Sequence, residues 1–312
     1  MIAYALRLET PTASTYAAEA AAYGPASIAY RYAGFIPATT FYGICASRSC
    51  PDKKDLQCAA ASRCGDHIFY PALPADGSLR GVAACEKDEC IYVDFCSLTA
   101  FKEAGKPPDT PKLAVPGIYI DRRTKNAKYG LLYMYELYQP GASGARLVTA
   151  TTAELPERVV LGYKKTYGWG RAAVERHCYA TPPGRRRAFL LLSPVPMEAL
   201  RNAVEKLGGW EGYRVKLGRW LIYLQATNKF YYVGNTPADA TAMPLTEVVL
   251  KKPATVWEFA SAVRQEVARL RVFRSSGAPA SGEEAEAVLR KAAATAASPV
   301  VALYIKAEEE RA

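Results

Sequence analysis

Ten residues, Gly162 to Arg171, read GYKKTYGWGR. Glycine opens backbone conformations closed to other residues and lets a chain pass close to a ligand. Lys164, Lys165 and Arg171 have the reach and charge to meet phosphates, and Tyr163, Tyr167 and Trp169 have flat faces on which bases can stack. The spacing is G-x5-G-x-G, with Gly168 and Gly170 flanking the tryptophan. No G-K-[ST] ends it, so it is not a phosphate loop of the P-loop type. No third glycine stands three residues after Gly170 and no parallel βαβ pattern surrounds it, so the dinucleotide fingerprint does not fit either. Amides, cations and rings together suit single-stranded RNA better than a lone nucleotide. The rival reading is a tight turn whose aromatics pack inward.

The second chemical cluster is sulfur. Seven of the eight cysteines lie in one stretch: Cys45, Cys50, Cys58, Cys64, Cys85, Cys90 and Cys96. No two make a C-x-x-C pair, so the usual zinc knuckle is missing. Four of the seven at wider spacing could hold one structural zinc, with His67 close by. Disulfides are the equal alternative, since intracellular proteins of hyperthermophiles can be rich in them; free buried thiols are the third. The chain has two histidines, His67 and His177, and neither a paired-carboxylate motif, a G-x-S-x-G nor an H-E-x-x-H. Dedicated catalysis is not expected.

These residues need a scaffold. The chain has 312 residues, a net charge of +10 and a pI near 9.1. Between Asp121 and Arg187, 13 Lys and Arg face 5 Asp and Glu, a net +8, so one fifth of the chain holds most of the excess. A concentrated basic region is the footprint of a polyanion partner. There is no apolar run of 18 residues and no signal-peptide pattern at MIAYALRLETP, so a soluble cytoplasmic protein without a membrane partner is expected. Four Asn, four Gln and 21 Tyr fit a thermophile source.

The periodicities place a strand over Ala3–Glu9 and a helix entered at Pro37. An irregular insertion is expected over 48–114. PGIYIDRR and YGLLYMYELYQPG read as strands joined by TKNAK, and ARLVTATT and RAAVERHCYA as two more; PERVVLGY reads as a short helix. After the turn PPGRRR, a buried strand AFLLLSPV leads to the helix MEALRNAVEKLGG and further strands. A long helix over VWEFASAVRQEVARLRVF, an alanine-rich helix EEAEAVLRKAAATAA and a strand PVVALYIKAE follow. The fold class is α+β, with two ferredoxin-like (RRM-like) domains at 1–181 and 188–312 and the cysteine-rich insertion in the first.

Four segments, taken in order, resemble the RAMP superfamily of CRISPR-associated proteins. GFIPATTFYGICA is similar to its IPGS-type approach to the first helix, and GIYIDRRTKNAKYGLLYMYELYQP to the R-x-T-x-x-A-x-x-G-x-LY segment of the branch that caps the guide RNA's 5′ end in type III effectors. GYKKTYGWGRAAV resembles the superfamily's glycine-rich loop, and AFLLLSPVP has a counterpart too. Ala38 departs from the pattern, standing where glycine is usual, and the cysteine-rich insertion has no counterpart.

The resemblance implies facing RRM-like sheets in a subunit that grips the crRNA 5′ tag and touches the effector's large subunit and first backbone subunit. It places Thr39, Thr40 and Tyr42 at a helix start near RNA, where helix N-termini meet phosphates. Arg122, Arg123, Lys125 and Lys128 would lie on a hairpin beside that RNA, with Lys164, Lys165, Tyr167, Gly168, Trp169, Gly170 and Arg171 in the loop. Some members of the superfamily cut RNA with a histidine, a tyrosine and a lysine. A metal-independent endoribonuclease is therefore the second reading, and a zinc-stabilised scaffold without RNA the third.

Overall fold

A computed structural model describes residues 1–12, 17–22, 27–32, 36–50, 52, 54–106, 112–120, 127–138, 146–161, 168, 170–296 and 298–302. For 17–22, 27–32, 112–120, 127–138 and 302 it describes the backbone alone. The chain is a mixture of α and β with five described α-helices: α1 (Ala38–Ser49), α2 (Leu56–Ala61), α3 (Met197–Lys206), α4 (Val256–Val267) and α5 (Gly282–Ala296).

The first strand, Ile2–Leu8, is the middle of a five-stranded antiparallel sheet. Arg146–Thr151 and then Leu73–Pro74 lie on one side; Arg171–Tyr179 and then Arg158–Val160 lie on the other. Its alternation sorts residues by face. Tyr4, Leu6 and Leu8 enter a core with Phe41 of α1 and with Phe69. Ala3, Val148 and Ala150, on the opposite face, join a larger core with Leu190 and Leu191 of the second half.

The frame of the second half is a strand (Arg186–Leu191), α3, strands (Trp210–Arg214 and Thr246–Ala254), α4 and, after a strand (Arg271–Arg274) and α5, a closing strand (Pro299–Ala302). Four of these strands pair in the order 210–214, 246–254, 186–191, 299–302, all antiparallel. Helix α4 starts on a capping box: Thr255 accepts from the Glu258 amide while Glu258 accepts from the Thr255 amide. Phe259 then stacks on Phe189 at 4.8 Å, fixing the helix to the sheet.

The region 48–114 is far more regular than its composition predicts. It holds α2, a 3-10 turn (Arg63–Asp66) and a meander of Gly81–Glu86, Glu89–Asp94 and Thr99–Ala104. The meander adds to the second sheet: Thr99–Ala104 runs parallel to Pro299–Ala302 and raises that sheet to seven strands. Tyr70 donates to the Pro299 carbonyl at 2.7 Å, and Arg264 of α4 donates to the Gly65 carbonyl at 2.6 Å. The insertion thus joins the two halves.

Two further expectations are corrected. Residues 158–160 form an edge strand, not a helix, because the β-branched pair Val159–Val160 finds open positions beside Ala172 and Arg171. Helix α4 stops at Val267, and Arg271–Arg274 becomes a strand that pairs with Lys229–Gly234. The expected strands around TKNAK do pair as an antiparallel hairpin, Lys112–Ile120 with Ala127–Tyr138. Among the described residues no helix is long and apolar enough to cross a membrane.

Candidate nucleic-acid interface

Register in the first sheet assembles a cation row that no local segment contains. Arg146 lies opposite Arg7, Arg7 opposite Ala173, and Ala173 opposite Arg158. Residues directly opposite share a face, so Arg146, Arg7 and Arg158 stand in one row across four strands. Arg171, two residues from Ala173, lies on the same face beside Val160. All four arginines are exposed, and Val160 is 39% exposed. None of the four is paired with an acid among the described residues, whereas Arg176 on the opposite face is paired with Glu154. Arginine is the side chain best matched to phosphate, with a planar fork of donors.

The glycine loop leads into this row. Gly168 and Gly170 have φ of +77° and +84°. A Cβ on Gly170 would stand 1.9 Å from the Leu161 carbonyl oxygen, so only glycine fits there. The Gly170 amide donates to Pro11 at 2.8 Å, and the Leu161 amide donates to Gly170 at 2.7 Å. The Arg171 amide donates to the Thr10 hydroxyl at 2.9 Å. The end of the loop is therefore a turn locked to the exit of the first strand, and it aims Arg171 outward. Lys164, Lys165, Tyr167 and Trp169 lie outside the described residues, as do Arg122, Arg123 and Lys125. Lys128 sits on the strand Ala127–Tyr138 at the hairpin end, described as backbone.

Helix α1 begins where the sequence puts it. Pro37 is its N-cap without a side-chain cap bond, and no acid stands in the first turn. The Thr40 amide donates to the Pro37 carbonyl at 2.9 Å, and no acid offsets the positive end of the helix dipole. Thr39 and Thr40 are half-buried, and the buried Thr40 hydroxyl has no hydrogen-bond partner among the described residues. Tyr42 differs from the expectation. It is 4% exposed, meets Phe69 edge-to-face at 5.9 Å, and burial pushes its hydroxyl up to about 12. In helical spacing it falls on the face that carries Phe41 into the core, so its ring is not available for a base.

The cysteines all pair: Cys45–Cys64, Cys50–Cys58, Cys85–Cys90 and Cys96–Cys178. The seven cysteines weighed as zinc ligands therefore carry no free thiolate here, and disulfides, the other reading of the sequence, are what is observed. The first two tie α1 to the 3-10 turn and to α2. Cys85 and Cys90 are cross-strand neighbours in the meander. Cys96–Cys178 spans 82 residues and joins the meander to the first sheet. Of the histidines, His67 bonds the Thr152 hydroxyl at 3.2 Å and His177 is exposed on the strand Arg171–Tyr179.

Sequence reading missed Arg7, Arg146 and Arg158. The signal was an arginine at an alternation position in each of three strands, and only the register unites them.

No protein-family model matches the chain, and no curated protein does. Among solved structures it is similar to a chain of the Type III-B Cmr-beta complex bound to cognate target RNA and AMPPnP. The TM-score is 0.47 at 14% identity, over 79% of this chain and 86% of that one. A chain of Type III-B Cmr-beta bound to cognate target RNA aligns with a TM-score of 0.46 at 13% identity, again over 79% and 86%. At these values the likeness assigns no residue a role.

Proposed function

We propose that this protein is a non-catalytic RNA-binding subunit of a CRISPR ribonucleoprotein effector of type III character. It binds the repeat-derived 5′ tag of the crRNA and helps to assemble the large subunit and the first backbone subunit around it. The observation that carries this reading is the arginine row of Arg146, Arg7 and Arg158, with Arg171 beside it. Four guanidiniums on one exposed sheet face, none in an ion pair with an acid among the described residues, suit a chain of phosphates rather than one phosphate. The pairing order of four strands in the second half, 210–214, 246–254, 186–191 and 299–302, supports the RRM-like units that the resemblance implies. The start of α1, with no acid in its first turn, favours an anion nearby. No catalytic residue is assigned: His67 is held by Thr152, His177 stands beside a disulfide, and neither lies in the row.

The test is fluorescence anisotropy with labelled repeat-tag RNA and a scrambled RNA of equal length, on wild type and on R7A/R146A/R158A. The wild type is expected to prefer the tag, and the triple variant to lose most of its affinity while keeping its melting temperature. Equal binding of both RNAs, or a triple variant that binds like wild type, overturns the reading. RNA that returns shortened would point to the endoribonuclease instead.

A further inference from the structure

The corner where Cys96 meets Cys178 holds more than a staple. Adjacent residues of a strand normally point to opposite faces, yet the donor atoms of Cys96, His177 and Cys178 all lie within 4.8 Å of one another. The cause is a β-bulge. Ala3 lies opposite Cys178 and Tyr4 opposite Arg176, which leaves His177 as the extra residue. A bulge re-aims side chains in this way and is common beside functional sites.

Exposure and a neighbouring imidazole set this disulfide apart. Each of the other three keeps one cysteine buried: Cys64 at 1%, Cys50 at 6% and Cys90 at 0% exposure. Cys96 and Cys178 are both only half-buried, and His177 is exposed. The two cysteines are also held together without their sulfur bond: the Thr181 amide donates to the Cys96 carbonyl at 2.7 Å, and Cys178 stays laddered to Ala3. Opening the disulfide would therefore leave two thiols and an imidazole in one place. Tetrahedral zinc with Zn–S bonds of about 2.3 Å needs sulfurs roughly 3.8 Å apart, a modest separation from the bonded pair.

We propose that a thiol or dithiol reductant converts this corner into a zinc site. Cys96 Sγ, Cys178 Sγ and a His177 ring nitrogen are the protein ligands, and water takes the fourth, solvent-facing position. In the reduction, the S–S bond accepts two electrons and each sulfur takes a proton, while a dithiol closes to its own disulfide. On metal binding each thiol releases its proton and two Zn–S bonds form. Soft sulfur with imidazole selects zinc over calcium or magnesium. The zinc then replaces the disulfide as the tie between the meander and the first sheet. This inference does not depend on the RNA reading.

The experiment uses the full chain, purified with its disulfides intact and titrated with dithiothreitol. Opened cysteines are alkylated and mapped by mass spectrometry. Zinc affinity is measured in parallel against a chromophoric chelator, and cobalt(II) absorption reports thiolate ligation. Cys96 and Cys178 are expected to open first, with the appearance of about one zinc site per chain. The exposed-residue variant H177A should still fold and should bind zinc at least about tenfold more weakly, and C96S/C178S should lose the site. If another pair opens first, or if wild type, H177A and C96S/C178S take up zinc equally once reduced, the proposal fails.

Discussion

Two ends of a single sheet face behave in opposite ways. At Ala3, Val148 and Ala150 the face of the first sheet is sealed into the core that it shares with the second half. Two residues beyond the buried pair Ala5 and Val148 it carries Arg7 and Arg146, exposed, with Arg158 and Arg171 beyond. Val148 and Arg146 point the same way and stand only about 7 Å apart along the strand. The sheet does not change between them; the cover does. Where the second half ends, the same alternation that buried small apolar side chains presents guanidiniums. One sheet face can be half sealed core and half exposed cation surface, and the border lies within one strand.

The sharpest break of this contrast is Val148→Asp. It should bury a carboxylate in the shared core and cost roughly 3–5 kcal/mol in urea unfolding. Arg146→Asp, two residues away, should leave stability within about 0.5 kcal/mol. Equal losses at both positions would abolish the border. Next, R7A/R146A/R158A should weaken tag-RNA binding by about 100-fold at low salt. It should also flatten the plot of log K against log salt by about 2, or about 0.7 for each phosphate no longer neutralised. Gly170→Ala meets both a φ of +84° and the Leu161 carbonyl, and should cost about 1–3 kcal/mol. Gly168→Ala, with open space around it, should cost about 1 kcal/mol. A melting series of the two alanine variants separates a tight turn from a merely flexible one.

The smallest effect belongs to acid, and it falls on the second half. The two buried acids among the described residues are Glu266 and Glu284. Its bond to Lys206 holds the Glu266 carboxyl below the usual range, with Arg269 adding to it. Arg274 does the same for Glu284, which also accepts from the Tyr231 hydroxyl. A carboxyl that titrates lower when folded stabilises the fold above its ordinary range and loses that stabilisation as pH falls through its folded value. Urea midpoints should therefore be flat near neutrality and drop below about pH 4. Glu284→Gln should flatten that drop. An unchanged acid profile would remove these acids from the account.

Much of the scaffold was legible because it rests on local pattern. The alternation of IAYALRL, Pro37 at the start of α1 and the apolar run AFLLL each specify an element from neighbouring residues. The meander was not legible, because GVAACEKDECIYVD interrupts its alternation with cysteines and charges whose partners lie across strands. The burial of Tyr42 against Phe69 was not legible either, because the two residues are far apart in the chain. The arginine row could not be read at all, since its members lie at positions 7, 146 and 158 and meet only through register. Of the glycine loop, the closing turn is explained by its geometry, and the aromatic and lysine positions are a matter for the RNA experiment.

The parallel pairing of Thr99–Ala104 with Pro299–Ala302 also sets an order of events during synthesis. The meander leaves the ribosome some 200 residues before the strand that completes it. Until then Thr99–Ala104 is an unpaired sheet edge, the kind of surface on which nascent chains misassociate. A pairing of such long range is also slow to close. The Cys96–Cys178 bond can form well before the last strand arrives, and it would park the waiting meander against a finished first sheet. Release from stalled translation before residue 299 should thus yield a protease-resistant first unit with a protease-sensitive meander, and extension through residue 302 should protect both.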